Sequence, residues 1–385
     1  MIDFSISKEQ QTVQTKFRQF SEKYIMPARA KHDQEGTYPE DLIAAAWNEH
    51  ILNGPLPVKY GGSGYSFTES AMASEELGAG CTGVGITIDT HTLAFLPLLL
   101  SGSEAQKKSF FRSIIDGRLL GAFCLTEPDA GSDIGNIKTT AVRKGSSYII
   151  NGSKRFITNG EVAGFHMVFA LTEPEAGGKG ISVFFVPSDS PGIEIKSRMD
   201  KMGQRAAVQN EIIYNDIEIP ADNLIGAEGD GFKTAMATFN RTRISIAALA
   251  LGNARAAWEY SSAWAQKRIQ FGRPITAQQG ISFKLAEMRT EIEAARGLIW
   301  NAASAIDRNA ENQAMLSSMA KYYATDKAMK ITEEAVQVMG GEGYSKEHPV
   351  EKMMRDAKLC QIYEGTNEIQ KVIISKNMFT YKTRR

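Results

Sequence analysis

The spacing of apolar positions changes twice along the chain. Ser7 and Gln10 have capping-box spacing, and Val13, Phe17, Phe20 and Tyr24 then recur at helical spacing. This predicts a helix with one apolar face. Pro27 should end or kink it. A second apolar stretch covers 42–47, and Pro55, Pro57 and Gly61–Gly62 mark loops. From about 121 the pattern shortens into β-rich runs at 148–150, 166–171, 181–186, 193–195 and 211–219. Asn151-Gly152 lies between the first run and 154–158, which is a hairpin signal. Beyond 229 long helical segments return at 245–265, 283–306 and 314–338, rich in Ala, Met, Lys and Glu. The expected fold class is α+β. It comprises a helical domain at 1–120, a central antiparallel β-barrel or sandwich at 121–228 and a C-terminal helical bundle at 229–385. The elements do not alternate, and no Gly-x-Gly-x-x-Gly follows a strand, so a doubly wound dinucleotide-binding enzyme is not expected.

Composition narrows the function classes. The 385 residues are 43% apolar and 23% charged, enough for a large core without disulfides or structural metals. A net charge of zero argues against a nucleic-acid partner. The one dense basic run, from Lys382 to Arg385, reads as a solvated tail. Cys81, Cys124 and Cys360 are odd in number and far apart, which fits a reducing compartment and no zinc or disulfide pattern. The five histidines form no His-x-x-x-His pair, so no metal site is expected. The apolar run at 93–100 is too short to span a bilayer and contains Pro97. With no basic-then-apolar leader, the cytoplasm is the expected location, or an organelle whose import sequence has been removed.

Five segments could carry chemistry. FCLTEPDAGSD at 123–133 is either a plain interdomain turn or a loop whose small residues admit a phosphate or a planar ring. QKRIQFGRPI at 266–275 is either a charged helix end or a phosphate-and-aromatic contact. QVMGGEGY at 337–344 is a helix C-cap or a close approach of backbone to a dinucleotide. In QIYEGTNEIQ at 361–370, Glu364 sits before Gly365 at a break between helices. It is a surface carboxylate or, inside an apolar cavity, a general base with a raised pKa. Asp89 interrupts an apolar helix; it pairs with a neighbour such as His91, or it lines a polar pocket.

Together, and in this order, these strings closely resemble the acyl-CoA dehydrogenase family, in its medium-chain-like branch, over essentially the whole chain. SEELGAGCTG at 74–83, INGSKRFITNG at 150–160, MGQR at 202–205 and AVQVMGGEGY at 335–344 add to the match. The resemblance implies FAD held between the β-domain and the C-terminal helices of a homotetramer. Phe123, Leu125, Thr126, Gly131 and Ser132 would line the flavin, with Phe156, Ile157 and Thr158 on its other side. Arg268, Gln270, Phe271, Gln278 and Gln279 would reach FAD from a neighbouring subunit. Gln337, Gly340 and Gly341 would meet its pyrophosphate and adenosine, and Thr366, Asn367 and Glu368 would follow as further contacts. Ser132, Phe239, Asn240, Arg243, Tyr363, Gly365 and Asp89 would bind the acyl-CoA. Asn240 departs from the aspartate that related enzymes often carry there.

The implied reaction is α,β-dehydrogenation of a short- or medium-chain, branched or cyclic acyl-CoA to the trans-2-enoyl-CoA. Glu364 would remove the α-proton, and electrons would pass to an electron-transferring flavoprotein. The thioester oxygen would accept from the base's own N–H and a flavin ribityl hydroxyl. No Lys or Arg lies between Glu76 and Gln106, which speaks against a glutaryl-type enzyme. Asp89 would disfavour a long apolar tail, or act as a second carboxylate on a cyclic acyl group. The alternatives are variant chemistry on the same scaffold, as an oxidase or desulfinase, and a non-catalytic flavin- or acyl-CoA-binding protein.

Overall fold

The computed structural model describes residues 5–379. The basic run at 382–385 lies outside them. Ser7 caps the first helix, α1 (Lys8–Phe20), with the full reciprocal box to Gln10, and Val13, Phe17 and Phe20 are buried on its inner face. The chain does not break at Pro27. A π-helical turn at Ser21–Ile25 comes first and runs directly into α2 (Met26–Glu35), so Pro27 lies on a continuous helical path whose hydrogen bonding is altered just before the proline, which has no N–H to give. Then follow α3 (Glu40–Asn48), α4 (Phe67–Ser101) and α5 (Glu104–Asp116). By length and composition α4 could cross a membrane, yet 72% of its apolar window is buried inside the protein. It is a core helix, broken at Cys81, whose backbone is extended (φ −167°, ψ 118°).

The central sheet holds β1 (Gly121–Cys124), β2 (Thr140–Lys144), β3 (Ser147–Thr158), β4 (Phe165–Leu171), β5 (Ile181–Pro187), β6 (Ile193–Arg198), β7 (Gln209–Pro220) and β8 (Leu224–Ile225). Their order is β6-β7-β3-β2-β4-β5-β8, with β1 on β4. Most pairings are antiparallel, while β1 and β2 each meet β4 in parallel. The hairpin expected at Asn151-Gly152 is not there. The turn lies instead between Lys144 and Ser147, and β3 runs unbroken through the dipeptide. Its register against β7 shifts between Ile150 and Gly152, which is a bulge. Gly152 has φ 151°, and a Cβ there would stand 2.4 Å from the Thr139 hydroxyl. Bulges and tight turns draw on the same permissive residues, so the dipeptide alone does not separate them.

The chain closes with α6 (Gly231–Lys267), a short hairpin of β9 (Ile269–Gln270) and β10 (Arg273–Pro274), α7 (Gln279–Asp307), α8 (Gln313–Met339), α9 (Gly341–Tyr344), α10 (Val350–Cys360) and α11 (Asn367–Met378). Helix α6 joins the two helical parts by crossing α4 almost backbone to backbone. A Cβ at Gly252 would stand 1.9 Å from the Glu75 carbonyl oxygen, and one at Gly78 would stand 2.2 Å from that of Leu249. Buried charges flank the crossing. Glu76 pairs with Arg18 at 2.8 Å and Arg255 at 2.7 Å, and Glu75 pairs with Arg296 at 2.7 Å. These carboxylates are almost fully desolvated, and Arg255 bridges both, at 2.9 Å to Glu75 and 2.7 Å to Glu76, so its loss weakens the pairing of two buried charges at once. Gly252→Ala should push α4 and α6 apart and lower stability by about 1–3 kcal/mol. A fall in the thermal unfolding midpoint checks this; an unchanged midpoint would show that the helices part without strain.

Candidate functional site

Between α10 and α11 the chain turns through two residues in the left-handed region, Glu364 (φ 56°) and Gly365 (φ 89°). For glycine this is free, whereas for glutamate it costs about 1–2 kcal/mol. The strain persists because two helices over-determine the turn. From α6, Thr242 Oγ1 donates to Glu364 Oε2 at 2.7 Å, and Arg243 Nε donates to the Glu364 carbonyl at 3.3 Å. From α8, the buried Lys321 Nζ donates to the Gly365 carbonyl and to Asn367 Oδ1, both at 2.9 Å. Gln370 Nε2 adds a bond to Gly365 O at 2.8 Å. Among the described residues the Glu364 N–H has no acceptor.

Burial pushes the Glu364 carboxyl up to about 7, against the Thr242 hydrogen bond and the attraction of Arg243 and Lys321. Burial likewise brings Lys321 down to about 8 and Arg243 to about 10. A carboxylate so placed takes up and releases a proton near neutrality.

Beside this turn lies a cavity walled by α1, residues 51–55, α4 and α6. Thr242 and Arg241 line it, as do Leu77, Ile88, Ser74 and Asp89. Asp89 Oδ2 is buried with no hydrogen-bond partner. Burial is the main cause that lifts its carboxyl to about 7, with Glu364 adding repulsion and Ser74 opposing. His91 is not its partner. The imidazole Nδ1 accepts from Gly121 N–H at 3.1 Å and Nε2 meets Asn53 Oδ1 at 2.8 Å. Burial drives this ring down to about 3, so it stays neutral. Asp89 thus lines the cavity with Ser74, and not His91, beside its carboxyl.

The flanking segments meet this centre at Phe123, whose ring lies 5.5 Å from that of Phe239 on α6. The loop after β1 is clipped in place. Lys154, fully buried, donates to Leu125 O at 3.0 Å and to Glu127 Oε1 at 2.7 Å, while Arg155 N donates to Thr126 O at 2.9 Å. Gly131 and Ser132 beyond it are exposed. On β3, Ile157 is buried and Thr158 accepts from Gln209, while Phe156 turns outward at φ 60° with its ring 55% exposed.

The C-terminal candidates divide. Phe271 tips the β9–β10 hairpin at 92% exposure, with Arg268 and Gln270 exposed beside it. Gln278 and Gln279 open α7. Gln337 is exposed near the end of α8, and Gly340 (φ 63°) terminates that helix, so the cap reading of the double glycine holds. Among the described residues, no hydrogen bond or ring contact joins these segments to 123–132. Thr366 caps α11 and Glu368 is exposed in its first turn. The Asn367 side chain is engaged by Lys321, Thr325 and Asp326, and its N–H donates to the Gln361 carbonyl at 3.0 Å. Asn240 Oδ1 accepts from Arg243 at 3.1 Å. Tyr363 packs its ring between the two helical cores, with its hydroxyl 3.4 Å from Gln204 Nε2.

Comparison with known proteins decides the family. Models described as the N-terminal, middle and C-terminal domains of acyl-CoA dehydrogenase match residues 7–118, 122–217 and 229–379. The chain belongs to the acyl-CoA dehydrogenase family. An acyl-CoA dehydrogenase of Bacillus subtilis is 44% identical, over 96% of this chain and 98% of that one. The cyclohex-1-ene-1-carbonyl-CoA dehydrogenase of Geobacter metallireducens is 40% identical, over 96% and 98%. The solved structure of butyryl-CoA dehydrogenase from Megasphaera elsdenii superposes with a TM-score of 0.95 at 40% identity, covering 98% of this chain and all of that one.

The protein is thus an oxidoreductase with FAD as its cofactor, and its surface fits one. Gly131, Gly340 and Gly341 have no atom within 4 Å of where a Cβ would stand, and the rings of Phe156 and Phe271 are exposed. Sequence reasoning missed Thr242, Lys321, Arg241 and Lys154. Lys154 stood within a quoted motif, but nothing in the sequence indicates that its ammonium is buried.

Thr242 and Lys321 both favour the ionised form of Glu364. Thr242→Val and Lys321→Met should therefore move the acid limb of the kcat/KM pH profile upward, with most of the lost rate regained at alkaline pH. A pH-independent loss would contradict this.

Proposed function

We propose that this protein oxidises a short acyl-CoA to its trans-2-enoyl-CoA, with Glu364 as the base that removes the α-proton. The observation that carries the reading is the Glu364 turn itself, which pairs a carboxyl raised to about 7 with an unpartnered N–H and is bonded to Thr242 on the wall of a cavity. The acyl chain enters that cavity, and its thioester oxygen accepts from the Glu364 N–H. This donor meets the negative charge that develops as the α-proton leaves. Arg243 and Lys321 hold the turn so that carboxylate and N–H stay on the same substrate. Filling the cavity excludes water and narrows the gap between the weak carbon acid and its base. Bound FAD supplies the hydride acceptor for the β-carbon. Leu125, Thr126, Phe156 and Thr158 are proposed to contact its ring system. Arg268, Gln270 and Phe271 would reach the FAD of a second subunit in a homotetramer, a role their exposure supports. An electron-transferring flavoprotein is the proposed acceptor, and the cytoplasm the proposed location.

Glu364→Gln should retain bound flavin and lower the anaerobic rate of flavin bleaching by butyryl-CoA at least about 10³-fold. Retained bleaching would remove Glu364 as the base.

A second reading rests on Asp89. It lines the same cavity with one oxygen unpaired, and a relative matched over 98% of its length is named for a cyclic alkenoyl-CoA. In this reading Asp89 is a second carboxylate acting on a ring. Asp89→Asn should then abolish oxidation of cyclohex-1-ene-1-carbonyl-CoA while butyryl-CoA still bleaches the flavin. Equal effects on both would rule it out.

A further inference from the structure

The cavity contains a cation that the stretch from Glu76 to Gln106 does not supply. Arg241 lines it from α6, one residue before the Thr242 that holds Glu364. Ser245, one helical turn on, lines it too, so this face of α6 is turned to the cavity. The Arg241 guanidinium is partly buried and, among the described residues, forms no ion pair. Its one hydrogen bond runs back to the Ala237 carbonyl of its own helix at 2.9 Å. Burial alone depresses its pKa, and no carboxylate offsets that cost. Three more deeply buried arginines on the bundle helices are paired or tied into a turn: Arg255 to Glu75 and Glu76, Arg296 to Glu75, and Arg243 to Glu364 O and Asn240. A half-buried arginine on a cavity wall, with most of its five donors free of protein partners, can take an anion, preferably a planar one it can grip with two of them.

The rest of the wall tolerates one. Ser70, Ser74, Thr92 and Asn53 bring polar groups to the cavity. Asp89, the one carboxyl there, titrates near 7, so close to half of it is a neutral hydrogen-bond donor at physiological pH. Because Arg241 and Thr242 are adjacent on one helix, a short chain running from the base into the cavity comes within reach of the guanidinium.

We propose that the preferred substrate is a short acyl-CoA carrying a carboxylate at the end remote from the thioester, and that Arg241 binds that carboxylate. The proposal rests on dehydrogenation by Glu364 and names the substrate class for that same site. It also qualifies the argument against dicarboxylyl thioesters from the cation-free stretch at 76–106, since the fold brings a cation from α6 into the pocket.

The test uses the FAD-loaded protein and matched thioesters that differ only in the terminal carboxylate: glutaryl-CoA against pentanoyl-CoA, and adipyl-CoA against hexanoyl-CoA. Anaerobic flavin bleaching and steady-state kcat/KM are read for the wild type, Arg241→Met and Arg241→Lys. For at least one pair, the wild type should favour the carboxylate-bearing member by about tenfold or more, the worth of one charge-assisted contact. Arg241→Met should erase or invert that ratio, mainly through KM, and Arg241→Lys should keep part of it. A wild type that favours pentanoyl- and hexanoyl-CoA, or a ratio equal in wild type and Arg241→Met, would overturn the proposal and leave the dehydrogenase reading intact. Flavin bleached by no thioester would overturn both.

Discussion

The structure depends on one strained turn. Glu364 sits at φ 56°, a conformation glutamate does not choose, and the bonds from Thr242, Arg243 and Lys321 keep it there. Those three residues come from two long helices that belong to the C-terminal bundle. One of them, α6, also crosses α4 at the glycine contacts of Gly78 and Gly252. The position of the carboxylate is thus tied to the packing of the N-terminal helices, which supply the cavity wall. The buried ion cluster of Glu75 and Glu76 with Arg18, Arg255 and Arg296 fixes the same crossing. Stability and the proposed chemistry share these helices, and the backbone strain lies at the carboxylate proposed as the base.

Electrostatics around the turn balance two demands. A base for a carbon acid must be basic enough to take the proton and still be ionised before substrate arrives. Burial raises Glu364, while a hydroxyl and two cations hold it near 7. Asp89 reaches a similar value by burial in the adjoining cavity, with Glu364 itself contributing repulsion. Two carboxyls and an unpaired guanidinium stand within or beside one cavity, and a wholly hydrocarbon occupant would leave those polar groups without partners.

Local patterns revealed much of this in the sequence, and long-range contacts did not. The Ser7–Gln10 cap, the apolar face of α1 and the three long C-terminal helices follow from spacing alone, because they depend on neighbours in sequence. Asn151-Gly152 misled because a bulge and a hairpin need the same backbone freedom, and only the partner strand decides between them. Glu364 was legible as a carboxylate at a helix break beside glycine, and the ordered motifs gave its family. Thr242, Arg241 and Lys321 were not, since ordinary helix residues reveal their role only when the intervening chain folds back, over 122 residues from Thr242 to Glu364 and 44 from Lys321 to Gly365. Asp89 stood out as a charge in an apolar helix, but whether His91 satisfied it depended on Asn53 and Gly121 reaching that ring first.

The most direct test of the account is the pH dependence of the first anaerobic turnover. Purified FAD-loaded protein is mixed rapidly with butyryl-CoA, or with whichever thioester bleaches it fastest, and the loss of oxidised flavin absorbance is timed across the pH range. If Glu364 is the base, the rate of bleaching rises through a single ionisation near 7 and levels off above it. A rate that stays flat through neutrality, or a bound flavin that no acyl-CoA bleaches, would contradict the account.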